Sequence, residues 1–410
     1  NNSRSCKTMN KNMNTNYFHD KKDINNLIEL YKHGLLNDTV PFWMNNCIDN
    51  VYGGFKFCLD RKGNVIDNDK GIWTQGRFTW LLSTLYLTVE KREEWLSTAK
   101  HGIDFIKKYG FDNDGKMFFS VTQDGKPLRK RRYIFSETFT IVAFAAYSKA
   151  ADDKKIAKEA FDLFKKVLWY LSEPGLLEPK INPSTRTMKG LAVPMILIVT
   201  AQILRESNIE PDFCTNIIDQ MIKEIHDDFM KEEFKGVLES VTNEGEIVDN
   251  FDGRMMCPGH SLEAAWFIIQ ESKFRNNDEK LLKIGLKILD WMLDWGWDKE
   301  FGGIYYYRDM KNYPIQEYWH DMKFWWPHNE AIIATLLAYI VTKDDKYANW
   351  HKLIHDWSYK HFPDQDYGEW FGYLHRDGRI SVDLKGNMWK GPFHLPRMQM
   401  VCWKLLEEYI

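Results

Sequence analysis

The chain has few cysteines and no pattern among them. The six, at positions 6, 47, 58, 214, 257 and 402, form no Cys-x-x-Cys pair and have no partner histidines at zinc-finger spacing, so neither a disulfide framework nor a structural zinc site is expected. They read as reduced thiols of a cytoplasmic protein. Long apolar runs are also missing. The longest, about Leu191 to Leu204, is broken by Pro194 and Gln202 and falls short of the roughly 20 residues a membrane span needs. The first twenty residues are rich in asparagine and lysine with no apolar stretch, which predicts a disordered tail over 1–20 and no signal peptide. Charge of one sign is absent too: the formal net charge is -3, giving no attraction for nucleic acid or an anionic membrane. A neutral small molecule suits that balance better. No P-loop, no G-x-G-x-x-G after a strand, and no H-x-x-x-H or H-E-x-x-H spacing occurs, so a nucleotide substrate has no visible anchor and a catalytic metal has no visible ligand set.

What is present is a repeat. A glycine-aromatic hairpin signature recurs at Tyr52-Gly53-Gly54-Phe55, Phe111-Asp112-Asn113-Asp114-Gly115, Phe234-Lys235-Gly236-Val237, Phe301-Gly302-Gly303-Ile304 and Tyr367-Gly368-Glu369-Trp370. The steps between them are about sixty residues or twice that, which places one unit without the signature near Leu176 to Pro183 and makes six in all. Between hairpins run two helical stretches. Thr79–Tyr86 and Glu330–Val341 are apolar nearly all round, whereas Trp95–Ile106 and Tyr347–Phe362 carry one apolar stripe, so the first of each pair is the buried partner. Six units of hairpin, inner helix and outer helix, over residues 21–410, predict an all-α (α/α)6 barrel, a single closed toroid with short β-hairpins between helix pairs. An open solenoid is the alternative.

The repeat also points to a site. His260, His328 and His394 follow their own hairpins by 24, 25 and 26 residues, and the same count from the first two hairpins reaches Arg77 and the neighbourhood of Glu137. All five begin inner helices, so their side chains are expected at one mouth of the barrel. Glu263 lies three residues after His260 and on its face. Glu330 stands beside His328, while Trp325, Trp326, Trp370 and Trp389 supply flat apolar surfaces of the kind that hold sugar C–H faces. The carboxylates of Glu263 and Glu330 fit a glycosidase pair on spacing alone. The histidines are better suited to removing a carbon-bound proton near neutral pH, since an unperturbed imidazole titrates at about 6.5.

At these residues the chain resembles the N-acylglucosamine 2-epimerase family. The resemblance runs from about Pro41 to Leu406 and rests on Gly53-Gly54-Phe55 with Trp73-Thr74-Gln75-Gly76-Arg77, Pro258-Gly259-His260-Ser261-Leu262-Glu263-Ala264, Trp325-Trp326-Pro327-His328-Asn329-Glu330-Ala331, Tyr367-Gly368-Glu369-Trp370-Phe371-Gly372, and Phe393-His394-Leu395-Pro396-Arg397. It implies an (α/α)6 barrel that interconverts N-acetylglucosamine and N-acetylmannosamine, an isomerase of amino-sugar and sialic acid metabolism, without a redox cofactor or metal. The family's two catalytic histidines match His260 and His394. Its sugar-holding arginine, glutamates and tryptophan match Arg77, Glu263, Glu330 and Trp326. His328 and Trp389 are added here as substrate contacts, His328 also as a ring-opening group. Cellobiose 2-epimerases and an aldose-ketose isomerase share the barrel, but they carry a further histidine on the third inner helix, and Met188 to Met195 has none. Mammalian members are activated by ATP, so ATP or another nucleotide is a candidate activator, although no phosphate loop is visible. The expected partner is a small amino sugar, with no nucleic acid and no membrane; a homodimer is the expected assembly.

Overall fold

The computed structural model describes residues 17–130 and 134–410. Helices Ile72–Thr88, Phe135–Ala151, Ala192–Glu206, Pro258–Phe274, Trp325–Thr342 and His394–Tyr409 stand side by side as an inner ring, and Lys21–His33, Glu93–Tyr109, Lys154–Ser172, Pro211–Glu224, Glu279–Gly296 and Asp345–His361 pack around them. Composition explains the sorting. Trp325–Thr342 buries every residue from Trp325 to Tyr339, as an element enclosed on all sides must. Glu279–Gly296 buries only Leu281, Gly285, Ile288, Leu289, Met292, Leu293 and Gly296, a stripe at helical spacing that faces inward while its lysines and aspartates face water. The expected toroid is therefore the fold found.

Closure uses the chain ends. Helix Lys21–His33 packs as the outer partner of the sixth inner helix, His394–Tyr409. Phe393 at its start meets Trp80 of the first inner helix with ring centroids 5.5 Å apart. Residues 1–16 of the expected tail lie outside the described residues. Residues 17–20 depart from that expectation: Phe18 is buried and stacks on Tyr339 at 4.8 Å, and the Asp20 side chain caps the first outer helix.

Short strands stitch one rim. The strands before four of the inner helices pair with the hairpin of the next unit: Lys70–Gly71 with Ser120–Val121, Lys189–Gly190 with Ser240–Val241, Met255–Met256 with Arg308–Asp309, and Lys323–Phe324 with Tyr373–Leu374. Leu59 exchanges backbone hydrogen bonds with Lys385 and Gly386 and so joins the sixth unit to the first. The unit expected to lack a hairpin does lack one, since residues 173–188 contain no strand.

Three of these joints contain a buried lysine. Lys323 Nζ sits on Asp298 at 3.0 Å and on the Arg376 carbonyl of the next unit at 3.1 Å. Lys70 does the same with Asp49 and the Gln123 carbonyl, and Lys385 with Asp364 and the Arg61 carbonyl. A buried ammonium costs several kcal/mol unless every proton has an acceptor. Each lysine here has at least three, counting the hairpin carbonyls of Gly53, Gly302 and Gly368. These contacts fix how one unit registers against the next.

Candidate active site

The ring encloses a cavity of about 900 Å³. Arg77, His260, Glu263, Trp326, Trp389, His394 and Arg397 all line it, with Trp73, Trp266, Tyr306, Tyr307, Tyr373 and Asn387. Two helix starts aim the histidines. His260 is the third residue of Pro258–Phe274, after a proline at the first position, where its missing N–H costs nothing. Gly259 precedes it because a Cβ there would stand 2.7 Å from the Trp326 ring. His394 opens the last inner helix.

Each histidine is held from behind by a carboxylate. His260 Nδ1 donates to Glu239 Oε1 at 2.8 Å, and His394 Nδ1 donates to Glu330 Oε1 at 2.7 Å. That fixes both tautomers and leaves each Nε2 for the cavity. The Trp326 ring is near both imidazoles, 4.9 Å from His260 and 5.5 Å from His394. The electrostatic settings differ. Burial by itself lowers both pKa values, but around His260 the Cys257 sulfur and the Glu239 carboxylate reverse it and the net shift is upward. Around His394 burial is joined by the cations of Arg77 and Arg397, against which Glu263 pulls, and the net shift is well downward.

Four charged side chains surround His394. Arg397 Nη2 donates to Glu263 Oε1 and to Glu330 Oε1, both at 2.7 Å. The other oxygen of Glu330 accepts from Trp266 Nε1 at 2.7 Å. Both carboxylates are thus committed to Arg397. Arg77 is left without an ion pair among the described residues; its guanidinium lies against the Phe139 and Phe393 rings, 4.2 and 4.5 Å from their centroids, and its Nε has no hydrogen-bond partner. Burial, opposed by Glu263, brings its pKa down to about 9, which still leaves a cation at neutral pH. A buried cation without an anion is costly. In a cavity it is a receptor for negative charge.

Four residues expected at the cavity, His328, Glu330, Glu137 and Trp370, are elsewhere. His328 is fully buried and absent from the cavity wall. Its Nδ1 donates to the Phe324 carbonyl at 2.6 Å, its Nε2 accepts from the Ile304 N–H at 2.9 Å, and its ring stacks on Trp357 at 5.0 Å. Both its nitrogens are engaged within the hairpin joint, burial lowers its pKa to about 3, and it has no face on the cavity where a substrate contact or ring-opening group was expected. Gln75 does the same work for its own hairpin, accepting from the Phe55 N–H at 2.9 Å, and Glu137 for Met117, also at 2.9 Å. Glu330 likewise has no face on the cavity; it orients His394 rather than holding sugar. Buried away from the cavity, with Arg397, His394 and Trp266 on its two oxygens, it does not face a scissile bond across the cavity from Glu263, and the glycosidase pairing fails on geometry.

Sequence reasoning missed Glu239 and Arg397 as site residues. Arg397 was within reach, since it follows His394 by three residues and therefore shares its helix face. Glu239 carried no such signal. It meets His260 only because its N–H pairs with the Met255 carbonyl at 3.0 Å, a contact 16 residues long in sequence. The buried pair Lys390 and Glu369 was also unforeseen.

Comparison with known proteins agrees with this fold. The family model for N-acylglucosamine 2-epimerase (GlcNAc 2-epimerase) matches residues 53–394. The chain is similar to the N-acylglucosamine 2-epimerase of Rattus norvegicus, 35% identical over 387 residues that cover 90% of each chain. It is less similar to the cellobiose 2-epimerase of Dictyoglomus turgidum, 26% identical over 398 residues covering 90% of this chain and 96% of that one. Among solved structures, the cellobiose 2-epimerase from Bacillus thermoamylovorans superposes with a TM-score of 0.81 at 20% identity, over 94% of this chain and all of that one.

Proposed function

The chain belongs to the N-acylglucosamine 2-epimerase family, and on that premise we propose that it is an isomerase interconverting N-acetyl-D-glucosamine and N-acetyl-D-mannosamine by removing and returning the proton at C2. The observation that carries this reading is the pair of carboxylate-backed imidazoles on one cavity, His260 with Glu239 and His394 with Glu330. In the ring-opened sugar the C1 aldehyde acidifies the C2 hydrogen, because the resulting carbanion is delocalised as an enolate. Inversion then needs a proton to leave one face and another to arrive at the opposite face.

A base and an acid must be ready together. The downward-shifted His394 is neutral at pH 7 and can accept a proton at Nε2; the upward-shifted His260 is protonated and can give one. One turnover exchanges these states, which leaves the site prepared for the reverse reaction. Arg77, a cation without an ion pair among the described residues, stabilises charge developing on O1 in this reading. Trp326 and Trp389 offer flat apolar faces to the sugar, and Glu263 has the acceptor capacity for a hydroxyl. One proton leaves C2, another arrives and no electrons are transferred, so the reading assigns no step to a redox cofactor or metal. The homodimer and the cytoplasmic location belong to the same proposal. Among the described residues no helix is long and apolar enough to cross a membrane.

The test is incubation with N-acetylglucosamine, N-acetylmannosamine, cellobiose and mannose in deuterated water, followed by NMR of C2. Deuterium should enter C2 of the epimerised N-acetyl sugar, because the delivered proton comes from a histidine in exchange with solvent. His394→Ala should lose epimerisation by about 10² to 10⁴-fold while keeping its circular dichroism. A ketose product, or near-full turnover by that variant, would overturn the two-base reading.

A further inference from the structure

Behind His260 lies a third group with affinity for soft cations. Cys257, Glu239 and His260 each offer one ligand atom, and the three atoms lie within 4.8 Å of one another. Backbone geometry sets this convergence. Cys257 is the N-cap of the inner helix Pro258–Phe274 and makes no side-chain capping hydrogen bond; His260 is three residues on. Side chains at the N-cap and the third helical position meet at a helix start, as they do in a capping box. Glu239 is brought alongside by the Glu239 N–H to Met255 carbonyl bond.

The neighbouring cluster shows what a filled version looks like. Glu263, Glu330 and His394 stand equally close, but Arg397 already bridges the two carboxylates there and Arg77 is near. A metal ion would meet two guanidinium groups. At Cys257, Glu239 and His260 no lysine or arginine is paired with any of the three among the described residues. The thiol and the imidazole make the set selective for zinc-like ions over magnesium or calcium.

We propose that Cys257 Sγ, His260 Nδ1 and Glu239 bind a divalent cation of the zinc class, and that the ion disables His260 from behind without entering the sugar cavity. Tetrahedral zinc, with bonds of about 2.0 to 2.3 Å, holds its ligand atoms roughly 3.3 to 3.8 Å apart, so the ion replaces the 2.8 Å hydrogen bond between His260 and Glu239 and opens that pair slightly. A water completes the fourth position. The ion displaces the thiol proton and the Nδ1 proton, releasing two protons to solvent. His260 is then a neutral imidazole whose Nε2 retains its hydrogen. It has no lone pair to accept a second proton, and giving up the one it has would require an imidazolate. Both its acid and its base roles stop.

The inhibition clause rests on the epimerase reading above; the metal site does not. The experiment is competition of zinc chloride against a chromophoric chelator, with wild type, Cys257→Ser and Glu239→Gln, alongside epimerase kinetics and sugar binding followed by tryptophan fluorescence. Wild type should show a zinc site whose affinity falls at least about ten-fold in Cys257→Ser. Zinc should lower kcat with KM unchanged, and the activity that Cys257→Ser retains should resist zinc. Equal zinc affinity in wild type and Cys257→Ser overturns the proposal, as does inhibition that appears only in KM. Zinc bound at this site with no C2 exchange on any sugar would remove the epimerase reading and leave the metal site standing. Thermal melts of both variants confirm that the comparison is between folded proteins.

Discussion

Arg397→Met tests the wiring of the site most directly. The guanidinium bridges two carboxylates, with Nη2 2.7 Å from Glu263 and 2.7 Å from Glu330, and its side chain is 4% exposed. Met keeps much of the apolar stem, so the change is chiefly in charge and hydrogen bonding. Glu330 would still accept from His394 and Trp266. Glu263 would be left with no hydrogen-bond donor among the described residues. An exposed pair would be worth under about 1 kcal/mol, but removing one partner of a buried pair costs about 3–5 kcal/mol. Because Glu263 touches the cavity and gains some hydration there, a loss of about 3 kcal/mol is expected.

The assay is guanidinium denaturation by tryptophan fluorescence, paired with kcat. A second substitution separates stability from chemistry. Glu263→Gln on the Arg397→Met background removes the stranded charge and should restore about 1–2 kcal/mol, the coupling expected of groups in contact. It should not restore kcat, which we expect to fall on the order of 10²-fold in both, since Glu330 and with it His394 lose their fixed position. A loss below 1 kcal/mol for Arg397→Met, or no recovery in the double variant, would refute the assignment of Arg397 as the shared counter-ion.

Two further outcomes follow from the histidine environments. Glu239→Gln removes the carboxylate that helps raise the pKa of His260, so the alkaline limb of kcat/KM, which reports loss of the proton on that acid, should move to lower pH; an unmoved limb would refute the pairing. His328→Gln should keep both fold and kcat, because Gln75 already performs that hydrogen-bonding task elsewhere in the ring, whereas His328→Ala strands the Ile304 N–H and should cost about 1–3 kcal/mol with kcat unchanged. The pH dependence of stability gives an independent check. His328 titrates at about 3 when folded and at about 6.5 when unfolded, so its contribution is complete above about 6.5 and is lost as pH falls toward 3, by up to about 1.36 kcal/mol per unit. His328→Gln should show a shallower slope in that window, measured by denaturation between pH 7 and 4.5, and an unchanged slope would refute the neutral, doubly bonded state.

The architecture was readable because two different periodicities agreed. Inner helices such as Trp325–Thr342 are apolar all round and outer ones such as Glu279–Gly296 carry one stripe, and glycine hairpins separate them at near-constant intervals. Even the unit without a hairpin was placed correctly by counting. The site was half readable for a related reason. Residues that act through their own helix, such as His260 with Glu263 or His394 with Arg397, announce themselves at a spacing of three. Residues that act across units do not, because the partners Arg397 takes lie 134 and 67 positions away and Glu239 arrives through a strand pairing.

His328 shows where counting between repeats fails. An α-helix turns about 100° per residue, so an interval known to within one residue leaves a side chain's direction uncertain by more than a quarter turn. The hairpin-to-histidine intervals differ by one or two residues among the three units, enough to carry an imidazole from the cavity to the hairpin side of its helix. A local ruler removes the ambiguity. On four inner helices the second turn carries one charged residue of the site cluster, Arg77, Glu263, Glu330 and Arg397. Three residues earlier stand Thr74, His260, Pro327 and His394. By that ruler His260 and His394 are counterparts, and the counterpart in the fifth unit is Pro327. His328, two residues before its charged neighbour, aligns with Gln75, and both hold a hairpin N–H. Two bases rather than three are therefore directed inward, which is the number that inversion at a single carbon requires.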